Sequence, residues 1–333
     1  MTEEKNTPRK GRSVIKRVVV IAALFVVILG LLVLTAGAIL SKRGVRVGEG
    51  DTVWNDAVAA QCHDADMGGY KLHYIDIGQG DPVILVHGFA SSSYCWHENV
   101  PALVDAGFRV ILVDQPGLGR SGIPPKPYAF SVENQAGEIL KLADRLELKR
   151  FSLIGSSMGG GIVLYMSLHH PDRVAKTVVV SPACYALGKH HGLLGVPGVV
   201  QLASMLAGRW AIRGSLRTTF FDPTRVDETI VDEYARPFNK PGYVRVLASL
   251  GKDFFSEEFE RMTQNYAELK PELLILWGDH DKWVRIAFGE RLHAAVPGSR
   301  YEVLENAGHL PHQEQADAVN SMVVQFLRGE DKG

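Results

Sequence analysis

Residues 151–161 read FSLIGSSMGGG. The first four of them form a short apolar run that is typical of a buried strand, and the stretch 160–170 is typical of a helix that ends before Pro171. Between them, residues 155–159 have the GxSxG spacing, in which small residues allow a very tight turn. The pattern predicts Ser157 at the tip of this turn, beside a helix N-terminus that stabilises negative charge. A glycine-rich turn without a chemical role is the alternative for this motif alone.

Short apolar runs alternate with longer helical stretches on both sides of this segment. This alternation predicts an α/β fold with a mostly parallel sheet flanked by helices. Several of the runs are apolar at consecutive positions, which is typical of strands buried on both faces. The predicted strands are 71–77, 82–87, 109–114, 151–154, 176–181, 272–277 and 301–304.

The interval between Pro182 and Pro271 contains no convincing buried strand. It carries apolar and basic segments, and the sheet pattern resumes directly after it. The sequence therefore predicts an inserted helical lid at 184–270, between two parts of the core at 57–183 and 271–329. Ligands bind at the carboxyl ends of the strands in open α/β sheets, so a lid at this place would cover a site.

The amino-terminal part carries an uncharged apolar run at 18–40, VVVIAALFVVILGLLVLTAGAIL. A helix of this length can cross a hydrocarbon core of about 30 Å, so the run predicts a transmembrane helix between a basic tail at 1–17 and a linker at 41–56. Six basic residues precede the run and three follow it closely, which predicts a cytoplasmic amino terminus and a catalytic domain on the non-cytoplasmic side. A cleaved signal peptide is the alternative.

Charge and cysteine content exclude several classes of protein. The formal net charge of -1 does not favour a nucleic-acid partner, which would require a basic surface. The three cysteines, Cys62, Cys95 and Cys184, have no CxxC spacing and predict neither a disulfide framework nor a zinc site. We expect no metal, no cofactor and no obligatory protein partner.

Other strand ends supply the groups that a serine nucleophile requires, a base and an orienting acid. His309 follows the strand 301–304 in the segment ENAGH and is the candidate base. Asp279 and Asp281 both follow the strand 272–277, and one of them is expected to orient His309. The chain order of serine, acid and histidine agrees with the nucleophile-elbow hydrolases.

These segments together resemble the successive motifs of the α/β-hydrolase superfamily. The motifs are HGFASSSYCW, DQPGLGRSG, GSSMGGG, LLILWGDHDKWV and NAGHLPHQEQ, and they span about residues 70–327 apart from the predicted lid. The resemblance implies an α/β-hydrolase fold with Ser157 as the nucleophile, Asp281 as the acid and His309 as the base. Asp279 is the alternative acid.

The same resemblance implies an oxyanion hole formed by the backbone N–H groups of Phe89 and Met158. It favours a structural role for His87, which would brace the loop after its strand. His280 and His312 are expected to be polar loop residues near the triad. Adjacent histidines such as His169 and His170 are not expected to bind a metal.

The predicted function is hydrolysis of a carboxylic ester through an acyl-enzyme, with a small lipophilic ester as the substrate. The overall plan resembles membrane-anchored monoacylglycerol lipases, and the membrane is an expected partner through the apolar run. One alternative is a carbon-carbon bond hydrolase of ring-fission products, although Leu310 and Pro311 stand where that group would better fit an aromatic residue. The other alternative is a non-catalytic binding protein on a hydrolase scaffold.

Overall fold

The central feature of the protein is a mixed β-sheet with the strand order β1-β2-β4-β3-β5-β6-β7-β8. The computed structural model describes residue 58 and residues 60–186 and 199–330, with the backbone alone for 199–207. From β4 to β8 all neighbouring strands are parallel, whereas β2 is antiparallel to both β1 and β4. The strands are β1 (Cys62–Asp66), β2 (Lys71–Ile77), β3 (Asp81–Val86), β4 (Phe108–Val113), β5 (Phe151–Ser156), β6 (Val174–Val180), β7 (Glu272–Gly278) and β8 (Arg300–Leu304).

Helices cover both faces of this sheet, as the sequence predicts. Along β3, Ile84 and Val86 pack into one apolar cluster and Val83 and Leu85 into another on the opposite face. All four side chains are fully buried, which explains why this strand is apolar at consecutive positions. The helices are α1 (Val100–Asp105), α2 (Val132–Arg145), α3 (Met158–His169), α4 (Val199–Thr219), α5 (Glu228–Ala235), α6 (Tyr243–Asp253), α7 (Glu257–Gln264), α8 (Ile286–Ala295), α9 (Pro311–Glu314) and α10 (Ala316–Arg328).

Residues 199–270, here called the helical insertion, connect β6 to β7 and contain α4 to α7. Side-chain caps stabilise the N-termini of α5 and α7. The carboxylate of Asp227 accepts the N–H of Ile230, and the hydroxyl of Ser256 accepts the N–H of Phe259. α4 bends at Gly208, where φ is 47°. No strand occurs in the described part of the insertion, which agrees with the predicted helical character. The predicted domain boundaries, and a role as a lid, remain predictions.

The predicted membrane localisation requires a correction. Within the residues that the structure describes, no helix is both long enough and apolar enough to cross a membrane. The expected transmembrane helix at 18–40 lies outside those residues, as do the tail at 1–17 and the linker at 41–56. The prediction of a single-pass protein with its catalytic domain on the non-cytoplasmic side rested on that apolar run and on the basic residues on either side of it. That localisation is contradicted by the described residues.

Candidate active site

Ser157 lies in a strained turn between β5 and α3. Its backbone has φ 53° and ψ −118°, a region that residues with a side chain rarely occupy. Two main-chain hydrogen bonds hold it there: Ser157 N–H donates to Val180 O at 2.9 Å, and Ala183 N–H donates to Ser157 O at 2.8 Å. These hydrogen bonds, to the end of β6 and to the residues that follow it, fix the direction of the serine side chain.

Glycine is required on both sides of this turn because the backbone passes too close to its neighbours for a side chain. A Cβ at Gly155 would overlap the main chain of Gly159, and a Cβ at Gly159 would overlap the carbonyl of Val86. Gly88, which follows β3, would place a Cβ only 3.2 Å from Cβ of Ser157. The GxSxG spacing is thus a steric requirement of this strand-to-helix connection.

The structure brings Ser157, His309 and Asp281 together in the predicted order. His309 Nε2 lies 2.9 Å from Ser157 Oγ, and His309 Nδ1 lies 2.7 Å from Asp281 Oδ2. The second carboxylate oxygen of Asp281 accepts the N–H groups of Trp283 at 2.8 Å and Val284 at 2.9 Å. The Asp281 side chain is fully buried. Its two oxygens therefore bind His309 and the main-chain N–H groups of the turn that follows Asp281, and not water.

Asp279 has different contacts, although it also follows β7. Its Oδ1 accepts the N–H of Ala307 at 3.2 Å and lies 2.7 Å from Nδ1 of His280. Its side chain is 28% exposed, against 0% for Asp281. Asp279 therefore contacts the loop that carries His309 without reaching the His309 ring.

The two predicted oxyanion donors are the N–H groups of Met158, which directly follows Ser157, and of Phe89, on the loop after β3. Met158 is the first residue of α3, so its N–H belongs to the helix N-terminus. Phe89 follows Gly88, where an added Cβ would lie 3.2 Å from Cβ of Ser157, and the Phe89 side chain is 47% exposed. The oxyanion role of both N–H groups stays a prediction.

His87 braces the loop that carries Phe89. Its Nδ1 lies 2.8 Å from Gly88 O, and its Nε2 lies 3.2 Å from the main-chain N of Gln115, which donates to it. Burial lowers the pKa of His87, which favours the neutral ring that this acceptor role requires. These contacts agree with the structural role that the sequence predicts.

Lys240 ties the helical insertion to the DQPGLGRSG loop, and the sequence analysis did not identify it. Its ammonium donates to the main-chain carbonyls of Leu118 at 3.3 Å and Gly119 at 2.9 Å, and to that of Ser121. Asp114, the first residue of the same loop, accepts the N–H of Arg120 within the loop at 2.7 Å and that of Ser93 outside it at 2.6 Å. Burial lowers the pKa of Lys240 to about 8. A single lysine in a helical segment carries no sequence signal for such a contact.

Glu314 is a second residue near the triad that the sequence analysis missed. Its carboxylate accepts the N–H of Gly308, the residue before His309, at 2.8 Å, and the N–H of Phe221 in the insertion at 2.6 Å. Burial raises the pKa of Glu314. The only available signal was a glutamate close to His309 in a segment with few other charges.

His312 differs from its prediction as a polar loop residue. It lies in α9, is fully buried, and packs on Trp96 with ring centroids 4.5 Å apart. Burial lowers its pKa to about 3, so the ring is neutral at physiological pH. His280, in contrast, is half exposed, as predicted. Among the described residues, no group of three or more His, Cys, Asp or Glu side chains is arranged to hold a metal ion.

The sequence and the fold of this chain are similar to those of known proteins. The family model described as Alpha/beta hydrolase family matches residues 83–322. The 2-hydroxy-6-oxo-6-phenylhexa-2,4-dienoate hydrolase of Comamonas testosteroni is 26% identical over 83% of this chain and 98% of its own length. The 2-hydroxy-6-oxononadienedioate/2-hydroxy-6-oxononatrienedioate hydrolase of Cupriavidus pinatubonensis is 31% identical over 78% of this chain and 91% of its own length.

Among solved structures, the enol-lactonase from Burkholderia xenovorans LB400 is similar, with a TM-score of 0.69 and 25% identity. The match covers 80% of this chain and all of that one. The predicted superfamily is confirmed by these findings. The narrower resemblance to membrane-anchored monoacylglycerol lipases is not supported, because the two sequence relatives are named as hydrolases of dienoate and dienedioate compounds.

Proposed function

The chain belongs to the alpha/beta hydrolase family, and we propose that it is a serine hydrolase that cleaves a carbon-carbon bond next to a ketone in a ring-fission product. The observation that carries the catalytic part of this proposal is the continuous contact from Ser157 Oγ through His309 to Asp281, at 2.9 Å and 2.7 Å. The substrate class is supported by the names of the sequence relatives. These names favour a carbon-carbon substrate over the lipophilic ester that the sequence predicts.

The proposed reaction begins with attack of Ser157 Oγ on the ketone carbon. His309 Nε2 accepts the serine proton, and the buried carboxylate of Asp281 stabilises the imidazolium that results. The N–H groups of Phe89 and Met158 stabilise the negative oxygen of the tetrahedral intermediate. The carbon-carbon bond then breaks, the leaving carbon takes the proton from His309, and water hydrolyses the acyl-serine to a carboxylic acid. One water is consumed and no electron acceptor is needed.

The leaving group determines which ketones can react. A carbon atom leaves as a carbanion unless a neighbouring group accepts the electron pair. A 2-hydroxy-dienoate chain can do so after it tautomerises to the 2-oxo form, because the electrons then spread onto the 2-oxo oxygen. We therefore expect turnover of 6-oxo-dienoates and none of simple ketones.

The second candidate function is hydrolysis of a carboxylic ester or lactone. Two observations favour it: the similarity to an enol-lactonase structure, and Leu310 with Pro311 directly after His309, where an aromatic residue would better fit the carbon-carbon hydrolases. The same triad performs this reaction with an alcohol as the leaving group.

The test compares two substrate classes on the full chain. The initial rate with 2-hydroxy-6-oxo-6-phenylhexa-2,4-dienoate is measured by the loss of its conjugated absorbance, beside p-nitrophenyl esters of increasing acyl length. We expect kcat/KM for the dienoate to exceed that for every ester by about tenfold or more, which corresponds to roughly 1.4 kcal/mol of transition-state discrimination. Ester turnover without dienoate turnover would establish the second candidate instead.

A matched pair of serine variants tests the site itself. Ser157→Ala is expected to lower kcat by about 10⁴-fold or more. Ser156→Ala removes the neighbouring buried hydroxyl, which forms no hydrogen bond to another described residue, and should retain most of the activity. Equal activity in the two variants would show that Ser157 is not the nucleophile. Absence of turnover of either substrate class by the parent chain would favour a binding protein on this scaffold.

A further inference from the structure

The main chain of His309 is bonded directly to the helical insertion. His309 N–H donates to the carbonyl of Thr219, the last residue of α4, at 2.8 Å. A Cβ at Gly308 would overlap the same carbonyl, so the two backbones are in contact with no side chain between them. The insertion therefore contacts the loop of the candidate base directly.

Glu314 joins the same two segments a second time. Its Oε1 accepts the N–H of Gly308 at 2.8 Å and its Oε2 accepts the N–H of Phe221 at 2.6 Å. One carboxylate thus bridges the residue before His309 and the residue that follows α4 by two positions. Glu314 is buried, so its two hydrogen bonds are protected from competition by water.

Two further contacts lie beside this bridge. The guanidinium of Arg225, also in the insertion, donates to the main-chain carbonyl of Glu314 and, at 3.2 Å, to that of Gln313. Trp283, whose N–H donates to Asp281, donates its ring N–H to Thr218 Oγ1 at 3.3 Å. The end of α4 consequently touches the loops of both the base and the acid.

We propose that Glu314 is a positioning residue that couples the helical insertion to His309, so that the end of α4 helps to set the distance between His309 Nε2 and Ser157 Oγ. The inference rests on the proposed function in one respect, because it takes His309 as the general base. The insertion then belongs to the catalytic apparatus through its first helix. A ligand that displaces the end of α4 changes the position of the base.

The chemistry of the bridge requires a carboxylate. Both contacts of Glu314 are with N–H donors, so both of its oxygens must accept. A glutamine keeps the size of the side chain but turns an NH₂ group toward one of the two donors, which leaves a buried N–H without a partner. The remaining oxygen can hold Gly308 or Phe221, but not both.

The experiment compares Glu314→Gln with Asp317→Asn in the full chain. Each variant replaces one carboxylate in the same region, but Asp317 is exposed in the first turn of α10 and has no hydrogen bond to Gly308 or Phe221. Hydrogen exchange is measured on peptides that cover 216–222 and 305–310. The rate of Ser157 labelling by an alkyl fluorophosphonate is measured on the same samples and resolved into KI and kinact.

We expect faster exchange in both peptides of Glu314→Gln and in neither peptide of Asp317→Asn. We expect kinact to fall by about tenfold with KI unchanged, because the probe still binds while the base is misplaced. Loss of folded protein alone would lower the amount labelled without changing kinact. If Glu314→Gln does not fold, Arg225→Gln is used in its place. We then expect faster exchange in the same two peptides and a smaller decrease of kinact, about threefold.

Two results would overturn the coupling. Faster exchange in 305–310 alone would show that Glu314 holds only its own loop, and an unchanged kinact would show that the bridge does not position the base. A parent chain that is not labelled at all would refute the proposed function, and the exchange of the two peptides would still decide whether they are coupled.

Discussion

The triad and the helical insertion are held in place by different kinds of interaction. Ser157, Asp281 and His309 each follow a strand, β5, β7 and β8, whose carboxyl ends lie at one edge of the sheet. Their separation follows from the spacing of parallel strands, which hydrogen bonds and apolar burial fix along their whole length. The insertion has no strand in the sheet and is held instead by side chains: apolar residues of α6 and α7, such as Leu250 and Phe259, pack into the core cluster. The amine of Lys240 and the carboxylate of Glu314 add polar contacts to main-chain groups.

This difference predicts unequal responses to substitution. Changes at the strand ends should act on the chemistry and leave the fold intact, because the sheet core does not depend on those side chains. Changes at the polar attachments should act on stability or on the position of the base. Changes on the outer surface of the insertion should have little effect on either property.

The largest effect is expected from Asp281→Asn, with Asp279→Asn as the matched control. An amide at 281 can turn an N–H toward His309 Nδ1 and favour the wrong tautomer of the ring, so we expect kcat to fall by about 10³ to 10⁴-fold. Asp279 does not contact the His309 ring, and its variant should lose less than about tenfold. Steady-state kinetics on both variants is the measurement. A larger loss at Asp279 would reverse the assignment of the acid.

A smaller effect is expected from Lys240 at alkaline pH. Burial lowers its folded-state pKa to about 8, whereas the unfolded chain keeps the proton up to the usual value for lysine, 10.5. The unfolded state therefore binds more protons in this window, and stability rises with pH. From pH 8 to about pH 10, the free energy of unfolding of the parent should rise by about 1 to 2 kcal/mol relative to Lys240→Met.

Urea denaturation of both proteins at the two pH values measures this difference. Lys240→Met is the control because it has no amine to titrate, while the other groups that titrate in this range are common to both proteins. An identical change with pH in the two proteins would mean that the ammonium of Lys240 is as well stabilised by its carbonyl partners as by water.

The smallest effect is expected on the outer face of the insertion. Glu228 pairs with Arg209 at 2.8 Å and with Arg213, but its side chain is 65% exposed. Exposed ion pairs contribute little because water and salt screen them, so Glu228→Gln should change Tm by less than about 2 °C and leave kcat unchanged. A thermal melt in low and high salt checks this. A larger decrease of Tm would place this surface in the cooperative unit of the core.

Much of the core could be predicted from the sequence because its signals are local. Consecutive apolar residues predicted the buried strands, and the GxSxG spacing predicted the turn in which Ser157 has a positive φ. The choice between Asp279 and Asp281 was different, since both follow β7 and the residues alone left it open. The resemblance favoured Asp281, and the structure shows its Oδ2 at His309 Nδ1.

Other features of the protein could not be predicted from the pattern of residues. His312 was expected in a polar loop, but its burial depends on how α9 packs against Trp96. The apolar run at 18–40 predicted a membrane localisation that the described residues do not support. The motifs also could not predict the substrate class, because cleavage of an ester and of an activated ketone requires the same nucleophile, base and acid.

The amino-acid order was sufficient to predict seven of the eight described strands, although not β1, and the chain order of the candidate triad residues, because strand burial and tight turns restrict residues close together in sequence. The tertiary arrangement brought Asp281, and not Asp279, into contact with His309, and it alone placed Lys240 and Glu314 in contacts between the core and the insertion. Those contacts are made to main-chain N–H and carbonyl groups of distant segments. Every residue type presents a main-chain carbonyl and nearly every type an N–H, so such partners leave no mark in the sequence.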